Sequence, residues 1–267
     1  MVQSAERLNH FENELEDRDT FCATMFRSPR RLWLLPDFGM DSRQLAPQAS
    51  YFSNFGTPPV LDHIGCSDLA QFAARTIDRW QTENEFDSGK YFLGGVGFGG
   101  LLAIEMAIEL NARSIAPAAV LLIGSSRSKA NISRSYRFKL ALLSQLPAVL
   151  GRGRIAETFR KQSVQESMNQ TQSRILQDMA RDIDWALFRW QVKAMLGWKR
   201  SRKEIEVSGI QIHQLHGRGD HNFRIPSVED ATILIHGQYL INLSLSGEVN
   251  RWIESILRDY DLRHSQS

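Results

Sequence analysis

The most distinctive spacing in the chain belongs to glycines, in Gly95-Val96-Gly97-Phe98-Gly99-Gly100. They follow a short apolar run, residues 91–93 (YFL), and precede a strongly apolar one, residues 101–110 (LLAIEMAIEL). A glycine-rich turn between strand and helix serves two chemistries. It can cradle a pyrophosphate on backbone N–H groups, in the pattern G-x-G-x-x-G. Gly95, Gly97 and Gly100 match that pattern. It usually follows the first strand, however, and an acidic residue is expected about 20 positions later. Here two or more strands come first, and residues 111–119 hold no acid. The turn can instead present a nucleophile, as in G-x-S-x-G, where the strand-to-helix bend forces strained backbone. Gly97 then stands at the serine position. Glycine tolerates that geometry better than serine, so the turn survives while the hydroxyl is lost. The second reading accounts for more of the segment.

Other polar residues give weaker signals. Ser125 and Ser126 follow an apolar strand and read as turn and cap residues. His213, His216 and His221 read as structural or loop histidines. No His/Cys/Asp group has metal-ligand spacing, and neither metal nor cofactor is expected.

These residues need a scaffold of alternating strands and helices. Residues 31–35 (RLWLL), 59–64 (PVLDHI), 91–93, 116–123 (APAAVLLI), 210–215 (IQIHQL) and 231–235 (ATILI) read as strands. Ser67 offers an N-cap for a helix to Trp80, with Leu69, Phe72, Ala73, Ile77 and Trp80 at helical spacing. Residues 249–257 form a closing amphipathic helix. The alternation predicts an α/β fold with a mostly parallel sheet covered on both faces.

One stretch departs from the alternation. Residues 127–203 carry helical pattern without a strand signal, too long for an ordinary connection. They hold 17 Lys or Arg against five acids, a net of +12, which leaves about −10 on the rest. The expected organisation is a polar extension at 1–26, a core at 27–126 and 204–262, and an inserted helical lid at 127–203.

Bulk properties fit one globular unit of 267 residues, 42% hydrophobic and 23% charged. A net charge of +2 does not point to nucleic acid. Two cysteines, Cys22 and Cys66, do not suggest a disulfide framework. The acidic start lacks the features of a signal peptide, and residues 115–124 are too short to span a bilayer. A cytoplasmic location is expected.

From about residue 31 to 260 the chain resembles the α/β-hydrolase superfamily. It looks closest to small bacterial hydrolases with a G-V-S-F-G-G elbow and a helical lid, and the elbow is also thioesterase-like. The segments that carry the resemblance are GVGFGGLLAIEMA, LLIGSSRS and DIDWALFRWQVKAMLGW. It implies an α/β-hydrolase fold with about six to eight strands. In such proteins an H-G-x-x-D segment supplies the acid of the triad, and here His216-Gly217-Arg218-Gly219-Asp220 places Asp220 there. The histidine follows the last strand in a G-x-H-x-x pattern, and here Tyr239 fills the slot. The oxyanion hole would use the N–H of Phe98 and one from residues 36–39, at Asp37 or Phe38. Asp37 is unusual there, because it brings a negative charge to a site meant for an oxyanion. His236 offers a substitute base.

Three functions remain open on these grounds. With nucleophile and histidine both replaced, the first is a pseudoenzyme, a binding or regulatory protein holding a small, mostly apolar or acyl-type ligand under the lid. The second is an active carboxylic ester or thioester hydrolase, or a lyase, using a rearranged site. The third is binding of an anionic partner, such as a phospholipid surface, through the basic lid. Restoring serine at 97 and histidine at 239 together is expected to restore weak esterase turnover.

Overall fold

The computed structural model describes residues 30–58, 63–83, 86, 88–224 and 231–264. Six strands form one sheet in the order β2-β1-β3-β4-β5-β6, and every strand pairing in it is parallel. They are β1 (Arg31–Leu35), β2 (Phe55–Gly56), β3 (Tyr91–Val96), β4 (Ala119–Ile123), β5 (Ile212–Gly217) and β6 (Thr232–Leu234). The helices, in chain order, are α1 (Ala46–Tyr51), α2 (Leu69–Glu83), α3 (Phe98–Ala112), α4 (Arg134–Gln145), α5 (Ala148–Gln165), α6 (Gln170–Asp182), α7 (Trp185–Gly197), α8 (Arg202–Val207), α9 (Ile241–Ser244) and α10 (Ser246–His264). This is the α/β-hydrolase fold.

The central strands are apolar along their whole length because both sheet faces are covered. One face packs in a cluster with Leu93, Val120, Ile77, Trp80 and Leu101. The same cluster takes in Ile155, Phe159, Leu176, Phe188 and Met195 of α5, α6 and α7. The helices between β4 and β5 are therefore joined to the core through continuous packing. The other face buries Phe92, Leu121 and Ile123 against Ile253 and Leu257 of α10. α3 lies between the sheet and other helices and is buried on nearly all sides.

Two sequence expectations change. The strand read at 59–64 has residues 59–62 outside the described set, and His63–Ile64 are not strand. The second strand is instead the two-residue β2, too short to leave a periodic signal. β3 also runs on through Gly94 and Gly95 to Val96. Those glycines do not end the strand. A Cβ at Gly94 would come within 2.4 Å of the Leu121 carbonyl oxygen, so the sheet interior itself requires a bare α-carbon. The polar segment 1–26 lies outside the described residues.

Candidate active site

A parallel sheet brings the carboxyl ends of all its strands to one edge. β1 and β3 are in register through Leu35 and Gly95, β3 and β4 through Gly95 and Leu122, and β4 and β5 through Leu122 and Gln214. The residues just beyond β1, β3, β4, β5 and β6 therefore converge. They include Asp37, Gly97, Gly124, Asp220 and Tyr239.

Gly97 turns the chain from β3 into α3 at φ 51° and ψ −115°. That conformation is unfavourable for any residue with a Cβ. Its amide donates to the Ile123 carbonyl at 3.1 Å, and its own carbonyl accepts the Ser125 hydroxyl at 2.6 Å. Gly99 lets α3 start against β1, since a Cβ there would lie 2.2 Å from the Leu35 carbonyl oxygen. The turn is thus held tightly on both sides.

The space that a side chain at residue 97 would fill is occupied by Asp37. A Cβ built on Gly97 would meet the Asp37 Oδ1 at 2.1 Å and its Cγ at 2.4 Å. The Phe98 N–H donates to Asp37 Oδ1 at 2.7 Å, and the Phe38 N–H also hydrogen-bonds this carboxylate. The sequence reading offers Phe98 with either Phe38 or Asp37 for an oxyanion hole; the Asp37 amide is turned to Gln44 instead. The Tyr239 hydroxyl donates to Asp37 Oδ2, and the Tyr136 hydroxyl stands 3.2 Å from that of Tyr239. The Asp37 backbone is fixed in turn by its N–H to Gln44 Oε1, 2.8 Å. Gly39 is fixed by an N–H to Gln191 Oε1 of α7, also 2.8 Å.

Burial raises the Asp37 pKa from 3.8 to about 6, against the lowering effect of these hydrogen bonds. Near neutral pH the group is therefore mainly a carboxylate, and an anion sits on the Phe98 and Phe38 amides. Burial, with the Asp37 charge adding to it, pushes both Tyr239 and Tyr136 well above the ordinary tyrosine range. Neither phenol accepts a proton as a base at neutral pH.

The β5 side is built differently. Asp220 Oδ1 accepts the N–H of Asn222 at 2.8 Å and of Phe223 at 3.1 Å, fixing its own loop. Asp220 Oδ2 is buried with no hydrogen-bond partner among the described residues, and so is His216 Nδ1. The two are 3.8 Å apart. The Gln214 amide nitrogen donates to the Ser125 carbonyl and lies 2.7 Å from His216 Nε2. An amide nitrogen only donates, so Nε2 accepts and the ring proton sits on Nδ1, facing Asp220. Tyr239 bonds Asp37 rather than Asp220.

The remaining sequence candidates lie outside this cluster of side chains. His236 is exposed in the turn after β6, and His221 is exposed beside Asp220. His213 is half-buried, with a pKa lowered by burial. Ser126 closes a turn through the Ser128 carbonyl at 2.7 Å. Among the described residues no group of His, Cys, Asp and Glu could hold a metal ion. Tyr136 and Gln191 were not legible as site residues. Both come from the helices between β4 and β5, far from Asp37 in sequence. The one available hint was the cluster of aromatics in that stretch.

No protein-family profile matches the chain, and no curated protein sequence matches it. Solved structures do. A carboxylesterase of the ammonia-oxidizing thaumarchaeon Nitrososphaera gargenis superposes with a TM-score of 0.71 at 13% identity, over 88% of this chain and 92% of that one. A thermophilic esterase from Thermogutta terrifontis gives 0.68 at 14% identity, over 87% and 91%. A serine-to-glycine variant of the N-acyl homoserine lactonase AidH, complexed with N-hexanoyl homoserine lactone, gives 0.65 at 14%, over 88% and 92%. At these identities the likeness is one of fold.

Proposed function

We propose that this chain is a hydrolase-fold protein without serine-type acyl transfer, which binds a small apolar or acyl-type ligand beneath its helical cover. One observation carries the reading. The Asp37 carboxylate fills the space beside the bare α-carbon of Gly97 and takes the Phe98 and Phe38 amides.

Acyl transfer needs a nucleophile, a base to accept its proton and donors for the developing oxyanion. Residue 97 brings no nucleophile. The base position holds a phenol that donates to Asp37. The donors are engaged by a resident anion, and an incoming carbonyl oxygen would have to displace a charge-assisted hydrogen bond. The site is thus built around the Asp37 carboxylate.

Binding is the function such a scaffold retains. Leu35, Pro36, Met40, Phe72, Phe98 and Leu187 line an apolar cavity of about 40 Å³ between the sheet edge and α7. That is room for a few waters, so an acyl-sized ligand enters only as the lining side chains and helices give way. The AidH variant, itself a serine-to-glycine replacement, holds its lactone, which supports ligand retention by such a fold.

The test is a panel of short- to long-chain esters and thioesters, run on the parent, Asp220→Asn and His236→Ala. All three are expected to match the buffer rate. Turnover by the parent that either variant abolishes would overturn the reading in favour of a rearranged active enzyme.

A further inference from the structure

The segment 127–156 contains seven Lys or Arg and no Asp or Glu. It covers α4 and the first half of α5, which are joined by a short turn at Leu146-Pro147. Large apolar side chains stand out from the same hairpin. Phe138 is 65% exposed, Leu142 56%, Val149 81% and Leu150 60%. Phe138 and Leu142 are one helical turn apart, in line with Arg134. Val149 and Leu150 head α5, two turns before the buried Ile155 and Phe159 that hold that helix to the core.

Arg127, Lys129 and Arg152 bond backbone carbonyls of Ile212, Leu196 and Ile183, and among the described residues the other four cations are not used in this way. Among the described residues Arg134, Arg137, Lys139 and Arg154 form no ion pair with the acidic body, although arginines elsewhere do, such as Arg30 with Asp261 and Arg200 with Glu105. α7 packs on the other side of α4 and adds Arg189 and Lys193, both exposed, at the groove between the two helices. A hairpin with protruding apolar side chains and unpaired cations has the composition of an interfacial element. The apolar groups enter the acyl boundary, and the long cationic side chains reach the headgroups.

We propose that the α4–α5 hairpin docks this protein on an anionic lipid bilayer, with Phe138, Leu142, Val149 and Leu150 inserted and Arg134, Lys139 and Arg154 against the headgroups. A bilayer suits the observations better than an acidic protein surface. Side chains this exposed protrude, and a fluid interface accepts protrusions without a complementary groove. No helix of the described chain is long and apolar enough to cross a membrane, so contact stays at the surface. The proposal is independent of what happens at Gly97.

The experiment is co-sedimentation of the full chain with phosphatidylcholine vesicles, with and without phosphatidylserine. Poly-L-glutamate is the probe for an acidic polypeptide. Three proteins are compared: the parent, Arg134→Gln/Lys139→Gln/Arg154→Gln, and Phe138→Ser/Leu142→Ser. All the changed residues are exposed, and matched thermal unfolding checks that the fold is kept. The parent is expected to bind only the phosphatidylserine vesicles. Losing three cations should weaken that binding about a hundredfold, and losing the apolar pair at least about tenfold. Equal binding to both vesicle types, no binding, or binding only to poly-L-glutamate would overturn the proposal. Binding that ignores the apolar pair would overturn insertion.

Discussion

The turn after β3 and the loop after β5 stand on the same sheet edge, yet they solve opposite problems. After β3 the turn carries a glycine, and a carboxylate from another strand end fills the space beside it with both oxygens engaged. After β5 the carboxylate has one oxygen tied to its own loop and the other without a hydrogen-bond partner among the described residues. The β3 turn keeps its backbone geometry because the sheet and α3 dictate it, whatever residue 97 carries. In the β5 loop Asp220 serves two backbone amides as their acceptor. The backbone on this edge is thus fixed by packing at both places, while the carboxylates differ in what they hold.

The strongest way to break this comparison is Gly97→Ala. The positive φ and the 2.1 Å approach to Asp37 Oδ1 should together cost about 3–5 kcal/mol. Denaturant unfolding measures it. In an Asp37→Gly background the cost should fall by roughly half, because only the backbone strain remains. An undiminished penalty would show that Asp37 does not fill the space beside residue 97.

A smaller effect is expected from Asp37→Asn, and its sign depends on pH. The folded pKa of about 6 lies above the ordinary 3.8, so the fold favours the neutral acid. That contribution is fully present below pH 4 and is lost as pH rises through about 6. Near pH 7.5 the buried carboxylate costs about 3 kcal/mol relative to its neutral form. Asn cannot ionise. Its unfolding free energy should match the parent's near pH 4 and exceed it progressively up to pH 7.5. A gap that stays flat with pH would contradict the burial argument.

Smaller again is Asp220→Ala, which strips the acceptor from the Asn222 and Phe223 amides. The loss should be about 2 kcal/mol, read by urea unfolding. A loss much below that would leave Asp220 without its structural role.

Much of this arrangement is legible in the sequence, for physical reasons that differ by element. β1 is bounded at Arg31 and Leu35 by its own apolar run and a following proline, and the helix after Ser67 by its spacing. The glycine turn shows itself because close packing admits no Cβ. Asp37 is legible as a misplaced charge. The resemblance places residues 37, 97 and 239 at one site, but the contacts of the Asp37 side chain with the space beside Gly97 and with Tyr239 depend on packing and leave no mark in the pattern. Tyr136 is hidden for the same reason, sitting on a helix whose docking depends on packing rather than pattern. The residue count of β2 is below what any periodicity can reveal. The expectation for serine at 97 with histidine at 239 does not include the Asp37 side chain, which a Cβ at 97 would meet at 2.1 Å.

The decisive measurement is intact mass after treatment with a fluorophosphonate, on three proteins: the parent, Gly97→Ser/Tyr239→His, and the same pair with Asp37→Gly. The reagent bonds a serine oxygen only when a base and open oxyanion donors are in place. The parent and the double variant should keep their masses, and the triple variant should gain one phosphonyl group at residue 97. An adduct on the double variant, or a triple variant that folds and stays unlabelled, would contradict the assignment of Asp37 as the group that closes this site.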